Sequence, residues 1–81
     1  MKNSTVNNLQ IGDNFIMVVD SMAGSIQAKY PDNSLTFLTS RREDFPYSVV
    51  GIEKNTMIVK DKITTYRFNI KNHQSIAVKI L

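Results

Sequence analysis

The sequence predicts an all-β protein, either a single small barrel or a strongly bent antiparallel meander of about five to seven strands. Three observations predict this class. Short stretches alternate apolar and polar residues at every second position, which is the period of a strand with one buried face. No stretch sustains the period of an amphipathic helix. Clusters of Gly, Pro, Asn and Asp separate the stretches and predict turns between them.

The N-terminal residues 1–8 are polar, and we expect them to form a flexible segment. The single β domain therefore covers residues 9–81. Gly12-Asp13 predicts its first tight turn, because Gly adopts positive φ readily and Asp can accept a hydrogen bond from the nearby backbone. The strand Asn14–Asp20 follows, with apolar residues on both faces, as is typical of a central strand.

A predicted hairpin comes next. The segment Ser21–Ser25 contains Gly24 and predicts a turn, which disfavours the alternative of a helix over residues 19–30. Alternating residues then predict the strand Ile26–Tyr30, and the turn residues Pro31–Ser34 lead into the strand Leu35–Thr39.

The second half of the chain repeats the extended pattern. Further strands are predicted at Tyr47–Ile52, Thr56–Lys60, Ile63–Ile70 and Ser75–Leu81. Gly51 interrupts the first of these and predicts a bulge. Because Lys71–Gln74 has the length of an ordinary hairpin loop, the last two strands are expected to be neighbours.

Composition limits the kind of protein. The chain has 81 residues, which fits one domain, and 42% hydrophobic and 21% charged residues, which is typical of a globular protein. Its lack of cysteine excludes disulfides and thiolate metal sites. The longest apolar run, Phe15–Val19, is far shorter than a membrane span. We therefore expect a cytoplasmic protein that has no cofactor and does not insert into a membrane.

Charge is distributed unevenly along the chain. Residues 1–61 carry six Lys and Arg and seven Asp and Glu, whereas residues 62–81 carry four Lys and Arg and no acid. The C-terminal part therefore holds a charge of +4, within a total of +3. A local excess of this kind attracts polyanions, although a solvated strand face with ordinary lysines is the simpler interpretation.

Catalysis has little support in the sequence. The single histidine, His73, lies in a predicted loop beside two amide residues, where a hydrogen-bonded or solvated role is more common than catalysis. Glu43-Asp44 is the one adjacent acid pair, and arginines precede it. No glycine-rich phosphate loop and no nucleophile motif is present. We expect the protein not to be an enzyme.

Binding of RNA or single-stranded nucleic acid is the preferred hypothesis, because cations neutralise phosphates and aromatic rings stack on bases. Arg67 and Lys79 are predicted to face outward on adjacent strands. The expected phosphate contacts are Lys62, Arg67, Lys71 and Lys79. Arg41 and Arg42 would extend this track, and Tyr47, beside a proline, would be exposed for stacking.

Protein binding is the alternative. The loop from Arg41 to Tyr47 combines arginine, aromatic and acidic residues, and Arg and Tyr are enriched at interface hot spots. Such a loop is suited to plugging the anion-binding cleft of an enzyme or to forming a homodimer. The competing interpretation is a solvated loop with internal ion pairs of small energy.

Two resemblances add to these hypotheses. The segment Leu9-Gln10-Ile11-Gly12-Asp13, followed by an apolar strand from Phe15, resembles the start of small SH3-like and OB-like β-barrels. The Asn-, Ile- and Lys-rich texture resembles small accessory proteins of tailed bacteriophages, some of which bind RNA or block host defence enzymes. The resemblance implies an SH3/OB-like barrel, encoded by a phage, that binds RNA or inhibits a host defence nuclease or toxin.

Overall fold

One antiparallel sheet of eight strands forms the protein in the computed structural model, which describes residues 1–19 and 25–81. This confirms the all-β class, with more strands than expected. The strands are β1 Lys2–Thr5, β2 Asn14–Met17, β3 Ile26–Lys29, β4 Leu35–Leu38, β5 Tyr47–Glu53, β6 Thr56–Lys60, β7 Thr65–Asn69 and β8 Ala77–Ile80. Their order across the sheet is β1-β8-β2-β5-β6-β7-β3-β4. Short 3₁₀ helices occupy Val6–Asn8 and Lys71–His73.

The predicted hairpin of β3 and β4 is confirmed, with Ile26 opposite Leu38 and Lys29 opposite Leu35. Its turn closes with a hydrogen bond of 2.9 Å from the Tyr30 N–H to the Ser34 carbonyl. The end of the predicted strand Asn14–Asp20 and residues 21–24 of the predicted turn and of the alternative helix lie outside the described residues.

Strands β5, β6 and β7 form a meander in the middle of the sheet. The pairing of β5 with β6 shifts between Val49 and Gly51, which confirms the bulge predicted at the glycine. The bulge changes the register, so Gly51 lies opposite Ile58 while Val49 lies opposite Val59.

The predicted pairing of the last two strands is wrong. Strand β7 pairs with β6 and β3, whereas β8 pairs with β1 and β2, so β2, β5 and β6 lie between them. The connection explains the difference. Lys71–His73 forms a 3₁₀ helix in place of a tight hairpin loop, and it carries the chain away from β7 to the far side of the sheet.

The N-terminal residues take part in the sheet before Leu9, the predicted start of the domain. Strand β1 pairs with β8 over four residues, from Lys2 opposite Ile80 to Thr5 opposite Ala77. Val6 follows and is fully buried. The polar side chains of residues 2–5 conceal this pairing in the sequence, because backbone hydrogen bonds hold an edge strand without an apolar face.

The core lies on one face of the sheet, which curls around it. Its fully buried side chains are Val6, Phe15, Met17, Ile26, Leu38, Val49, Met57, Val59 and Val78. Beyond β4, the carbonyl of Ser40 accepts a hydrogen bond of 2.8 Å from the N–H of Met17 at the end of β2. The segment that follows the edge strand β4 thus contacts β2, an inner strand of the sheet.

Candidate nucleic-acid interface

The face of the sheet opposite the core carries a group of cations on three neighbouring strands. On β7, Tyr66 and Phe68 are buried, so Arg67 between them points outward. Arg67 lies directly opposite Lys29 of β3 and opposite Ile58 of β6. Lys60 lies two residues beyond Ile58 and therefore shares this face. We call Lys29, Lys60 and Arg67 the cationic sheet face.

The turn between β3 and β4 positions the Arg67 guanidinium. Its Nη1 donates a hydrogen bond of 3.2 Å to the carbonyl of Tyr30, and its Nη2 donates to Oδ1 of Asn33. Asn33 has a φ of 72°, in the left-handed region that Asn tolerates. The two contacts fix the guanidinium at the turn between β3 and β4, and an arginine with five N–H donors retains others for an anion.

Carboxylates are scarce on this face. Within the strands that the structure describes, Glu53 is the one acidic residue, and it lies at the end of β5, opposite Thr56 at the start of β6. Two like charges placed directly opposite each other, as Lys29 and Arg67 are, destabilise a sheet. A bound anion would relieve that repulsion.

A pocket of about 310 Å³ adjoins Lys29 and Arg67. Its other lining residues are Gln27, Leu35, Thr56, Phe68, Asn69, Asn72 and His73. We call it the amide pocket, after the side chains of Gln27, Asn69 and Asn72. The sequence alone could not find this site, because its residues come from β3, β6, β7 and the second 3₁₀ helix, whose neighbourhood depends on the strand order.

His73 forms one wall of the amide pocket, and both of its ring nitrogens are hydrogen-bonded. Nδ1 lies 2.6 Å from the carbonyl oxygen of Asn69 and donates to it, and Nε2 accepts the N–H of Gln27 at 3.2 Å. The ring also meets Phe68 edge-on at 5.6 Å between centroids. His73 is thus a main-chain-bonded residue that links β3 to the 3₁₀ helix, in agreement with the hydrogen-bonded role favoured by its sequence context.

The predicted site residues of the 40–46 loop form a separate group. Arg42 holds Asp44 with two hydrogen bonds, of 2.9 and 2.7 Å, and this contact lowers the pKa of the Asp44 carboxyl. Lys62 donates to the carbonyl of Asp44 at 2.8 Å and lies 5.8 Å from the centroid of the Phe45 ring. Most of the positive charge that Arg42 brings is therefore neutralised by its own loop.

This loop borders an open groove of about 890 Å³, which we call the arginine groove. It is lined by Tyr30, Thr36, Phe37, Thr39, Ser40, Arg41, Arg42, Phe45, Tyr47, Asp61, Ile63 and Tyr66. The expected exposure of Tyr47 is wrong, because only 5% of it is accessible. Its ring packs 5.5 Å from that of Phe15, and its hydroxyl accepts the N–H groups of Thr39 and Ser40. Tyr47 is therefore part of the floor and offers no face to a base.

Asp61 and Tyr66 also lie on the floor of the arginine groove. The Tyr66 hydroxyl donates a hydrogen bond of 2.6 Å to Asp61, whose other oxygen accepts the N–H groups of Ile63 and Thr64. Burial alone would raise the pKa of Asp61, but these three hydrogen bonds outweigh it and lower the pKa. Burial and the bond to Asp61 raise the pKa of Tyr66 well above its ordinary value.

The remaining predicted phosphate contacts lie apart. Lys71 is exposed in the 3₁₀ helix that follows β7, near the amide pocket. Lys79 lies on β8, opposite Asn3 of β1 and Ile16 of β2. The predicted cations are thus divided between the sheet face, the arginine groove and the distant strand β8, while Lys29 and Lys60 join Arg67 without having been predicted.

Comparison with known proteins finds no family model, no curated protein and no solved structure that matches this chain. The described residues contain no group of three His, Asp or Glu side chains placed to hold a metal ion. They also contain no helix of the length and apolarity needed to cross a membrane.

Proposed function

We propose that this protein binds RNA or another single-stranded nucleic acid through its cationic sheet face, without catalysing a reaction. The observation that supports the proposal is the direct juxtaposition of Arg67 and Lys29 on paired strands, with Lys60 on the next strand.

Phosphate chemistry fits the arrangement. Arg presents a planar fork that matches phosphate oxygens, while Lys provides a flexible point charge. Because neighbouring strands lie about 4.8 Å apart, cations on three strands follow a path across the sheet and can track a flexible backbone. In this proposal the protein acts in the cytoplasm, and its style of sequence is consistent with a phage-encoded protein.

The test is fluorescence anisotropy of a labelled single-stranded RNA over a series of salt concentrations. Neutralising about three phosphates predicts a slope near −2 for log K against log salt. The double variant Lys29→Gln, Lys60→Gln should weaken binding and bring the slope to about −0.7. The Lys29 and Lys60 side chains take no part in the hydrogen bonds by which Arg67 contacts the turn between β3 and β4.

A control is Lys2→Gln on the edge strand β1, which removes one positive charge far from the proposed face. It should leave affinity and slope close to those of the wild type. Absence of binding at low salt, or equal losses in the control and the double variant, would refute the proposal.

A second proposed function is protein binding through the arginine groove, including inhibition of a host enzyme such as a defence nuclease or toxin. The specific observation is Ile63, which is 79% exposed beside the aromatic and arginine residues of the groove. An exposed apolar side chain next to Arg and aromatic groups is typical of an interface centre.

The two functions can be separated with host lysate. Under the second proposal, immobilised wild-type protein retains a partner after nuclease treatment, and Ile63→Lys loses it, whereas Lys29→Gln retains it. Loss of all partners after nuclease treatment would contradict direct protein binding. Sedimentation of the same variants would also test the expected homodimer, which Ile63→Lys should dissociate if the groove forms its interface.

A further inference from the structure

We infer that the amide pocket accepts one base of a bound strand and prefers adenine, while Lys29 and Arg67 hold the adjoining phosphate. This inference rests on the proposed function, and it adds a base preference to the sequence-independent attraction of phosphate for the cationic sheet face.

The polar side chains converge because of the sheet register. Gln27 lies two residues before Lys29 on β3, and Asn69 lies two residues after Arg67 on β7. Since the two strands run antiparallel and Lys29 is opposite Arg67, both amides lie on the same side of the cation pair. Thr56 of β6 is directly opposite Asn69 and extends this polar row.

Internal hydrogen bonds orient the amide pocket mainly through backbone N–H groups. Gln27 and Asn72 use their backbone N–H groups for bonds to His73 and to Oδ1 of Asn69, respectively, and both residues line the pocket. Asn69 accepts the Asn72 N–H through Oδ1, which leaves its side-chain amide nitrogen as a donor. The pocket therefore combines amide donors and acceptors on a backbone held by His73.

This donor and acceptor set matches adenine. A side-chain amide of Asn or Gln can accept from the adenine N6 amine and donate to N7, which is the favoured pairing of these residues with a base. Leu35, which is 59% exposed, supplies an apolar surface to the pocket, and the buried Phe68 also lines it. A volume of about 310 Å³ is at the lower end of small-ligand sites and is suited to one base rather than to a larger ligand.

The cation pair at the rim decides the kind of ligand. Lys29 and Arg67 line the same pocket as the amides, so a base inside would have its phosphate beside two positive charges. Neutral ligands would leave the repulsion between these charges in place. The ligand is therefore a nucleotide of a single strand, whose base is free to leave the stack.

The test compares labelled homopolymers of equal length, oligo-A, oligo-U and oligo-C, by anisotropy at fixed salt. Oligo-A should bind about tenfold more tightly than the others. Gln27→Ala and Asn72→Ala should remove this preference and leave the salt slope unchanged, because neither side chain is charged. The matched control Gln10→Ala, an exposed glutamine that does not line the pocket, should keep the preference.

A second measurement avoids dependence on variants. Addition of adenosine monophosphate to ¹⁵N-labelled wild-type protein should shift the side-chain amide resonances of Gln27 and Asn72, and cytidine monophosphate should shift them much less. Equal affinity for all homopolymers, or shifts confined to other residues, would overturn the adenine pocket and leave the proposed phosphate binding intact. Failure of every oligonucleotide to bind at low salt would overturn both.

Discussion

Asp61 shows how a single residue stabilises both a turn and the aromatic cluster under it. Its carboxylate caps the backbone of residues 63 and 64 and accepts the hydroxyl of Tyr66. The Tyr66 ring in turn packs against those of Tyr30 and Tyr47, at centroid distances of 5.4 and 6.0 Å. The hydrogen bond to a charged acceptor therefore orients a ring at the border of the core.

The pH dependence of the Asp61–Tyr66 contact follows from the directions in which the two pKa values are shifted. Since the pKa of Asp61 is lowered in the folded protein, its contribution is complete above the ordinary value of 3.8 and is lost as pH falls through the folded value. The pKa of Tyr66 is raised, so its contribution is complete below 10.0 and is lost at higher pH. The pair is thus fully effective at neutral pH.

Tyr66→Phe should lower the free energy of unfolding by about 1.5–3 kcal/mol at pH 7, because it removes a hydrogen bond to a charged acceptor. Urea denaturation would measure the change, and Tyr30→Phe, a neighbouring ring without this bond, is the control and should cost less. The difference between wild type and Tyr66→Phe should shrink as the pH falls below 3.8. A loss that is the same at every pH would contradict the role assigned to Asp61.

Gly12 and Gly51 provide a second prediction for single residues, about the stability cost of replacing each with alanine. Gly12 has a φ of 97° and donates its N–H to the carbonyl of Val49, whereas an added Cβ at Gly51 would meet Ile58 at an ordinary distance of 3.4 Å. Gly12→Ala should therefore cost about 1–2 kcal/mol through backbone strain, and Gly51→Ala should cost less. Thermal unfolding of both variants would check the order, and a larger loss for Gly51→Ala would refute it.

At the scale of elements, the predictions succeeded where local signals suffice. Residues 31–34 combine Pro, Asp and Asn, which specify a turn by their own backbone preferences, and the β3–β4 hairpin follows from them. Gly51 similarly marked the bulge in β5. Strand β1 was missed, because Lys2–Thr5 has no apolar face and its pairing depends on β8, which is distant in the sequence.

Side-chain burial was less predictable at the ends of strands than inside them. Within β7, alternation places Tyr66 in the core between residues that point outward. Tyr47 follows a proline and was expected to be exposed, yet the loop after β4 folds over it and donates two backbone N–H groups to its hydroxyl. A contact of this kind depends on the path of a loop, which local periodicity does not encode.

The order of the strands is a property of the whole molecule, and the candidate site depends on it. Residues 62–81 carry an excess of positive charge in the sequence, but three strands lie between β7 and β8, so these cations do not form one surface. The sheet instead joins Arg67 to Lys29 and Lys60, which come from the part of the chain with a net negative charge. Only one of the seven predicted site residues, Arg67, therefore lies within the cationic sheet face.

The strand order also predicts that the C-terminal strand β8 contributes more to stability than the N-terminal strand β1. Strand β8 lies between β1 and β2 and contributes the fully buried Val78, whereas β1 is an edge strand with one neighbour. Removal of residues 77–81 should therefore unfold the protein, since it exposes two strands and opens the core. Removal of residues 1–5 keeps the buried Val6 and should leave a folded, less stable sheet. Circular dichroism with urea denaturation would show which of the two truncated variants is folded. A folded variant that lacks β8 would contradict the strand order.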